Sequence, residues 1–459
     1  MTLVTGVDSS TQSAKVEVRD SDTGALVASG HAAHPPTQPP VSEQDPRAWW
    51  DALETARAGA GHVGESAAIS VAAQQHGLVV TDATGTPLRP AKLWNDTESA
   101  LDARWLVGQL DGGDAAWAEA CGSVPVAAFT ITKLSWLHRE EPEVFKRIER
   151  VMLPRDWLAW RLTGEYQTDR GDASGTGYWS PGADVYRFDL LRIVDGDRDW
   201  EAALPRVASA VDAIGTGDNM AAALGLGLAP GDVVISLGTS GTVFAVSDTP
   251  TADPAGAVAG FADATGRFLP LVCTLNATKV TDAIGRLLGA DHTELEAMAL
   301  AAPPGARGAT LLPYFDGERT PNRPDARGAL AGLTASATRE DVARAAFEGV
   351  VCGLLDGLDA LRAVDVPVRG RLYVIGGGAR SAAYVQIVAD LAQRAVTVVD
   401  ETELVALGAC VQAAARVTGA PIADVQAAWD LGHGSDIEPS IGLDAALEVL
   451  AAYATLRDP

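Results

Sequence analysis

Two carboxylates and two hydroxyl-rich turns stand out as groups whose types and spacing suit phosphate chemistry. Asp218 and Asn219 lie in GTGDN, between a glycine turn and the apolar, helix-forming run MAAALGLGL. That pattern places a carboxylate at a helix N-terminus, exposed on a turn and not submerged in a core, where it can act as a base with a near-ordinary pKa. Farther on, VVISL, GTSG and TVFAV read as strand, tight turn and strand. Gly238 and Gly241 let the backbone approach a ligand, and Thr239 and Ser240 offer hydroxyl donors to phosphate oxygens. A hairpin of the same design opens the chain. There Asp8 ends the first strand, Ser9, Ser10, Thr11, Gln12 and Ser13 form the turn, and Lys15 follows in the second strand. The plainer reading of each feature is a capped helix or a merely polar turn. The recurrence of one design in both halves argues instead for a pair of phosphate loops. A third group, Gln74, Gln75 and His76, interrupts two apolar strands in AAISVAAQQHGLVV. Three hydrogen-bonding side chains there need partners, and a bound polyol competes with the plainer account of a satisfied core histidine.

These groups need scaffolding, and the sequence indicates what it is. The opening segments LVTGVD, SAKVEVRD and ALVASG read as an antiparallel meander. Asp45 as N-cap with Pro46 in the first turn starts a helix through RAWWDALETARAG, with Trp49 and Trp50 as core anchors. Trp94, Asn95 and Asp96 fall where a strand meets a helix, with Asp96 or Thr97 as its N-cap. FTITKLSWLHREEPEVFKRI predicts an amphipathic helix broken near Pro142, and TDRGDASGTG predicts a loop. In the second half, Thr338 and Asp341 form a capping box for a long helix. RLYVIGGGARSAAYVQIVADLAQRAVTVVD reads as strand, triple-glycine turn, helix and strand, and LDAALEVLAAYATL as a final amphipathic helix. The hinge is expected near residues 210 to 215, which divides the chain into domains 1–214 and 215–459.

Composition bounds the alternatives. At 459 residues the chain exceeds what one core supports, and ten of its eleven tryptophans precede residue 201, so two unlike domains are expected. A net charge of −25 repels a phosphate backbone and argues against nucleic acid as a partner. The four cysteines are dispersed and form no CxxC, which suggests neither a zinc site nor a disulfide framework. No apolar run approaches membrane length and the first residues lack a basic region, so the expectation is a cytoplasmic protein with no membrane partner. No Gly-Lys dipeptide exists for a Walker A loop, and HRD, DFG, GxSxG and HExxH are absent. One rival class persists: GxGxxS at Gly376, Gly378 and Ser381, with Asp400 beyond, mimics the fingerprint of an NAD-dependent dehydrogenase. A non-catalytic sugar sensor is another, although it would have no need of Asp218.

The motifs SEQDPRAWW, QQHG, LWND, FTITKLSWL, DASGTG, GTGDN, SLGTSG, LPYFDGERTP and GGGARS, in that order, resemble the FGGY carbohydrate kinases, and Gly328 to Glu348 fits the family's C-terminal signature. The resemblance covers nearly the whole chain. It implies an α/β fold of two ribonuclease-H-like, actin-like ATPase domains with a cleft between them that closes over the substrates. It also implies transfer of the γ-phosphate of ATP, carried with Mg2+, to a sugar hydroxyl. D-xylulose is the expected acceptor, another pentulose or polyol the alternative, and a homodimer the common assembly. By position, Asp218 resembles the general base, and Gln75, His76 and Asn219 the residues that hold the ketose. Asp8 resembles the carboxylate near magnesium, and Thr11, Ser13, Gly238 and Thr239 the two phosphate loops. Gly377, Gly378 and Ser381 fall where the family contacts adenosine. One departure carries its own expectation. Only Ala213 and Ile214 separate Asp212 from the glycine turn, so the strand before Asp218 is expected to be lost or poorly formed.

Overall fold

The computed structural model describes residues 1–458. They fold into two compact units, one built from Met1–Leu228, Asp248–Leu269 and Glu403–Gly432, the other from Ala229–Ser247, Pro270–Thr402 and the segment after His433. The break expected at residue 214 therefore falls inside the first unit, and Asp218 belongs to that unit. A cut in sequence cannot show this, because the helix Leu404–Thr418 returns from far along the chain to pack on the first unit's own strand Leu3–Ser9.

The first unit is organised by a mixed five-stranded sheet. Its strands, Leu3–Ser9, Ser13–Asp20, Leu26–Ala33, Ser66–Ala73 and Gly215–Gly217, lie side by side in the order third, second, first, fourth, fifth. The first three pair antiparallel as the meander requires, while Ser66–Ala73 runs parallel to Leu3–Ser9 and Gly215–Gly217 parallel to Ser66–Ala73. The strand expected to be lost before Asp218 is thus present. It is short, with Gly215 opposite Val71, Thr216 opposite Ala72 and Gly217 opposite Ala73. Gly215 has φ of 142°, and a Cβ there would lie 1.7 Å from the Val71 carbonyl oxygen, so only glycine lets the two backbones come this close.

Helices cover this sheet where the sequence supplies caps and apolar faces. Pro46–Ala60 starts at Asp45, whose carboxylate accepts from Arg47 N at 2.9 Å, and its buried Trp49 donates to Gln44 Oε1 at 2.6 Å. Trp49, Leu53 and Ala56 join Val7, Val16, Val18 and Trp157 in one core. Thr130–Glu140 and Pro142–Phe145 form the broken helix, and Leu134, Leu137 and Phe145 enter a second core with Trp117 and Trp200. Two local expectations change. Asp96 caps no helix: Ser99 precedes the helix Ala100–Val107, and Asp96 is buried, accepting from Ser42 N and from the ammonium of the equally buried Lys92. TDRGDASGTG is not all loop either, because Gln167–Asp169 is a strand and Asp169 caps the short helix Arg170–Ser174.

The second unit repeats the topology. Val233–Leu237, Gly241–Ala245, Phe268–Thr274, Leu372–Ile375 and Val396–Val399 again lie third, second, first, fourth, fifth, and Gly434–Ile437 pairs antiparallel at the outer edge. The long helix Arg339–Ala363 begins at the Thr338 and Asp341 capping box and buries Phe347, Val350, Leu354 and Leu358. Among the described residues no single helix is long and apolar enough to cross a membrane.

Candidate active site

In the first unit the chemistry-bearing residues gather at the carboxyl ends of the three mutually parallel strands, where backbone and side chains are left open to a ligand. Asp8 comes from Leu3–Ser9, Gln75 and His76 from the end of Ser66–Ala73, and Asp218 from the end of Gly215–Gly217. Asp218 is the first residue of the helix Asp218–Gly225. That helix can lie close to Leu404–Thr418 because both present glycine: a Cβ on Gly225 would sit 2.2 Å from Leu404 O, and one on Gly408 1.8 Å from Ala221 O. The acid is therefore fixed by a tight helix pair as well as by its strand.

The Asp218 carboxylate is half-buried and accepts through Oδ1 from its neighbour's backbone, Asn219 N, at 2.8 Å and from Asn219 Nδ2 at 2.9 Å. Burial pushes its pKa up to about 6, against which the Asn219 hydrogen bonds work. The near-ordinary pKa expected from an exposed turn is corrected accordingly, since protein surrounds the carboxylate even though part of the residue meets solvent. Asn219 Nδ2 also donates to Gln75 Oε1 at 3.2 Å, which ties Asp218, Asn219 and Gln75 into one row. Gln75 Nε2 is buried with no hydrogen-bond partner. A buried amide left in that state is a site asking for an acceptor such as a substrate oxygen.

His76 is held in a manner that a core histidine does not need. Its φ is 65°, a left-handed conformation rare outside glycine, and its ring forms a three-ring cluster with Phe129 and Phe261, each centroid 5.3 Å from it and 6.1 Å from the other. Nδ1 lies 2.8 Å from Gly175 O, which can only accept, so Nδ1 carries a proton. Phe261 and Gly175 are contributions that sequence reading missed. Gly175 lay inside a recognised motif, but nothing local ties Phe261 to a histidine so distant in sequence.

Asp8 is buried opposite Lys15 in the hairpin register. Burial raises its carboxyl to about 7, Lys15 opposes the rise, and the negative charges of Asp218, Glu403 and Glu17 add to it. Lys15 is joined to Glu403 at 2.6 Å, a contact between residues too distant for sequence to pair. The turn above Asp8 is closed by Ser10 N donating to Ser13 O at 3.0 Å. Thr11 Oγ1 accepts from Trp94 Nε1 at 2.9 Å and donates to Gln74 Oε1 at 3.2 Å, so the first loop is tied to LWND and to QQHG.

In the second unit the GTSG turn is anchored to the helix Thr278–Leu288 by Thr278 N donating to Gly238 O at 3.0 Å and Ala277 N to Thr239 O at 3.2 Å. Gly238 is half-buried and Thr239 exposed. The glycine turn packs beside it: a Cβ on Gly378 would come within 2.6 Å of Leu237 Cβ, whereas one on Gly377 would meet nothing nearer than an Arg380 guanidinium nitrogen at 3.8 Å. Ser381 has a structural task, capping the helix Ala382–Ala392 through Tyr384 N at 3.5 Å. The glycine turn does sit in a parallel strand, helix and strand unit, Leu372–Ile375, Ala382–Ala392 and Val396–Val399, but the sheet around it opens on three antiparallel strands and is not the doubly wound parallel sheet of a dinucleotide-binding domain.

Two sheets of the same third, second, first, fourth, fifth order, each opening on a hydroxyl-bearing hairpin, are the actin-like, ribonuclease-H-type arrangement. Residues 3–246 match the N-terminal domain of the FGGY family of carbohydrate kinases and residues 233–417 its C-terminal domain; the chain belongs to this family. It is 49% identical to the xylulose kinase of Streptomyces coelicolor over 94% of this chain and 92% of that one. It is 48% identical to the xylulose kinase of Streptomyces rubiginosus, over 100% and 97%. Among solved structures, the xylulose kinase from Bifidobacterium adolescentis superimposes with a TM-score of 0.87 at 41% identity, covering 99% of each chain. The chain is a carbohydrate kinase, and its phosphoryl donor is ATP.

Proposed function

We propose that the protein transfers the γ-phosphate of ATP to the primary hydroxyl of D-xylulose, giving D-xylulose 5-phosphate. The observation that carries this reading is the row formed by Asp218, Asn219 and Gln75, with His76 the next residue after Gln75, in a chain that is 49% identical over nearly its full length to a xylulose kinase. Asp218 accepts the proton of the attacking hydroxyl as its oxygen bonds to phosphorus and the bond from phosphorus to the ADP oxygen breaks. A carboxylate with a pKa of about 6 is mostly ionised at neutral pH yet basic enough to take that proton. Gln75, His76 and Asn219 hold the ketose, the His76 ring being fixed for the task by Gly175 and the two phenylalanines. Phosphoryl transfer asks for in-line positioning and charge neutralisation more than covalent help, and a rigid row of this kind supplies the positioning.

Magnesium travels with the nucleotide in this reading, and Asp8 would hold it. The fit is good: Asp8 Oδ1 is buried with no hydrogen-bond partner, and neighbouring carboxylates raise the negative potential around it. Bound there, the ion would neutralise charge on the phosphates. Thr11 and Ser13 in the first unit, and Gly238 and Thr239 in the second, take the phosphates, while Gly377, Gly378 and Ser381 take the adenosine. The first unit then serves the sugar and the second the nucleoside. With family resemblance as the support, we read the working form as a cytoplasmic homodimer, which light scattering of the purified protein tests. The reaction itself is tested by following phosphorus NMR of a mixture of protein, magnesium ATP and D-xylulose. A new phosphate-ester resonance coupled to the sugar's terminal methylene supports the assignment, and its absence while ADP accumulates refutes phosphorylation of the sugar.

A further inference from the structure

Beneath the base lies a charge cluster to which neither the motifs nor the proposed mechanism gives a task. Arg155, fully buried on the helix Pro154–Thr163, meets three carboxylates: Asp169 at 2.7 Å, Asp172 at 3.1 Å and Asp156 at 3.1 Å. Burial pushes the carboxyls of Asp172 and Asp156 upward, Asp156 to about 6, and the Arg155 guanidinium opposes both rises. Burying four ionisable groups is costly compared with an apolar core of the same shape, which is reason to ask what the cluster specifies.

Its connections run to both halves of the sugar site. Asp169 Oδ2 accepts the hydroxyl of Thr216 at 2.6 Å, and Thr216 is the central residue of the short strand that delivers Asp218. The same Asp169 carboxylate accepts from Gly171 N at 2.9 Å and Asp172 N at 3.2 Å, which pins the helix Arg170–Ser174. Gly175, the residue that ends that helix, supplies the carbonyl at 2.8 Å from His76 Nδ1. A three-residue strand has few ladder bonds of its own, and glycine at both ends offers no side chain to grip, so the Thr216 hydroxyl is its side-chain anchor into the core.

Resting on the assignment of Asp218 as the base, we propose that Arg155, Asp169 and Thr216 are positioning residues, a single tether that sets the placement of Asp218 and of His76 together. Loss of the tether then moves turnover and the sugar KM, and leaves the ATP KM unchanged, because the Asp169 hydrogen bonds run to Arg155, Thr216 and the helix Arg170–Ser174 and not to the phosphate loops or the glycine turn.

The test is steady-state kinetics of Thr216→Val, Thr216→Ser and Asp218→Asn with the full chain, normalised to folded protein by ADP binding. Thr216→Val should lose about 10- to 100-fold in kcat and raise the sugar KM several-fold, consistent with the cost of an ångström-scale misplacement. Thr216→Ser, which keeps the hydroxyl, should recover to within about threefold of the natural protein, and the ATP KM should stay within about twofold throughout. Thr216→Ala adds no bulk against Gly171 and carries the same comparison if Thr216→Val does not fold. Failure of both to fold, with Thr216→Ser folding normally, would make the tether purely structural and overturn the proposal. So would a Thr216→Val of unchanged kcat and lowered melting temperature beside a crippled Asp218→Asn. Natural turnover in Asp218→Asn would instead overturn the base assignment, and this proposal with it.

Discussion

Replacing Asp218 by Asn should make the protein more stable at neutral pH and far less active. The carboxyl is raised from 3.8 to about 6 by burial, so it binds its proton more tightly folded than unfolded. Stability from this group is therefore fully present below pH 3.8, is lost as the pH rises to about 6, and stays lost above. About two pKa units at 1.36 kcal/mol each give roughly 3 kcal/mol, and the side chain's remaining solvent contact reduces this to about 1.5 kcal/mol. Asp218→Asn removes the charge but keeps an oxygen that accepts from Asn219 N and Nδ2, so the local hydrogen bonds survive. Melting curves at pH 4 and pH 7.5 should coincide with those of the natural protein at the lower pH. At the higher pH the variant should melt a few degrees higher. In the same preparations kcat should fall by about 10²- to 10⁴-fold, the range for loss of a general base. Equal melting at both pH values would refute the buried-carboxylate account. A stabilised variant that still turns over at the natural rate would refute the role of Asp218.

Other residues separate the two substrates. His76→Gln loses the ring packed on Phe129 and Phe261 and should raise the sugar KM about tenfold or more while the ATP KM holds, and equal changes in both would mean that His76 is only structural. Asp8→Asn should shift the magnesium concentration needed for half-maximal rate upward by about tenfold with little effect on sugar affinity, read from a metal titration, since it removes the charge that an ion would meet. An unchanged titration would remove Asp8 from the metal. Gly377→Ala and Gly378→Ala form a matched pair for the nucleotide. The added methyl on Gly378 collides with Leu237 and should cost about 1–3 kcal/mol of stability, measured by denaturant melts. The methyl on Gly377 meets no protein atom closer than 3.8 Å, so a raised ATP KM at unchanged stability reports the nucleotide directly, and an unchanged KM argues against that contact.

Much of this was legible in the sequence because turn and cap chemistry is local. Both hairpins, the Asp45 and Thr338 caps, the helix break at Pro142 and the strand, glycine turn and helix around Gly376 depend on residues within a few positions of each other. The candidate residues Asp8, Gln75, His76, Asp218 and Asn219 were likewise identifiable from their motifs. The parts that escaped depend on contacts across long separations. The short stretch before Asp218 predicted a lost strand, yet Gly215 and Gly217 pack so closely on Ser66–Ala73 and Gln75 that three residues suffice. Asp96 looked like a helix cap because its partners, Lys92 and Ser42, come together only in the fold. The pKa of Asp218 was misjudged for the same reason, since burial at the mouth of a site cannot be read from an exposed-looking turn. The domain boundary was misplaced because Leu404–Thr418 belongs with the N-terminal sheet.

The central claim is tested most directly by kcat/KM for ADP release from magnesium ATP with D-xylulose, measured beside D-ribulose, L-ribulose, glycerol and gluconate and against a blank without sugar. D-xylulose should exceed every other acceptor by at least about tenfold, since a site that pairs its buried polar groups with one set of hydroxyls leaves them unpaired with another. A different acceptor in first place would contradict the substrate assignment, and ADP release no faster than the blank with every sugar would contradict the kinase reading of the site.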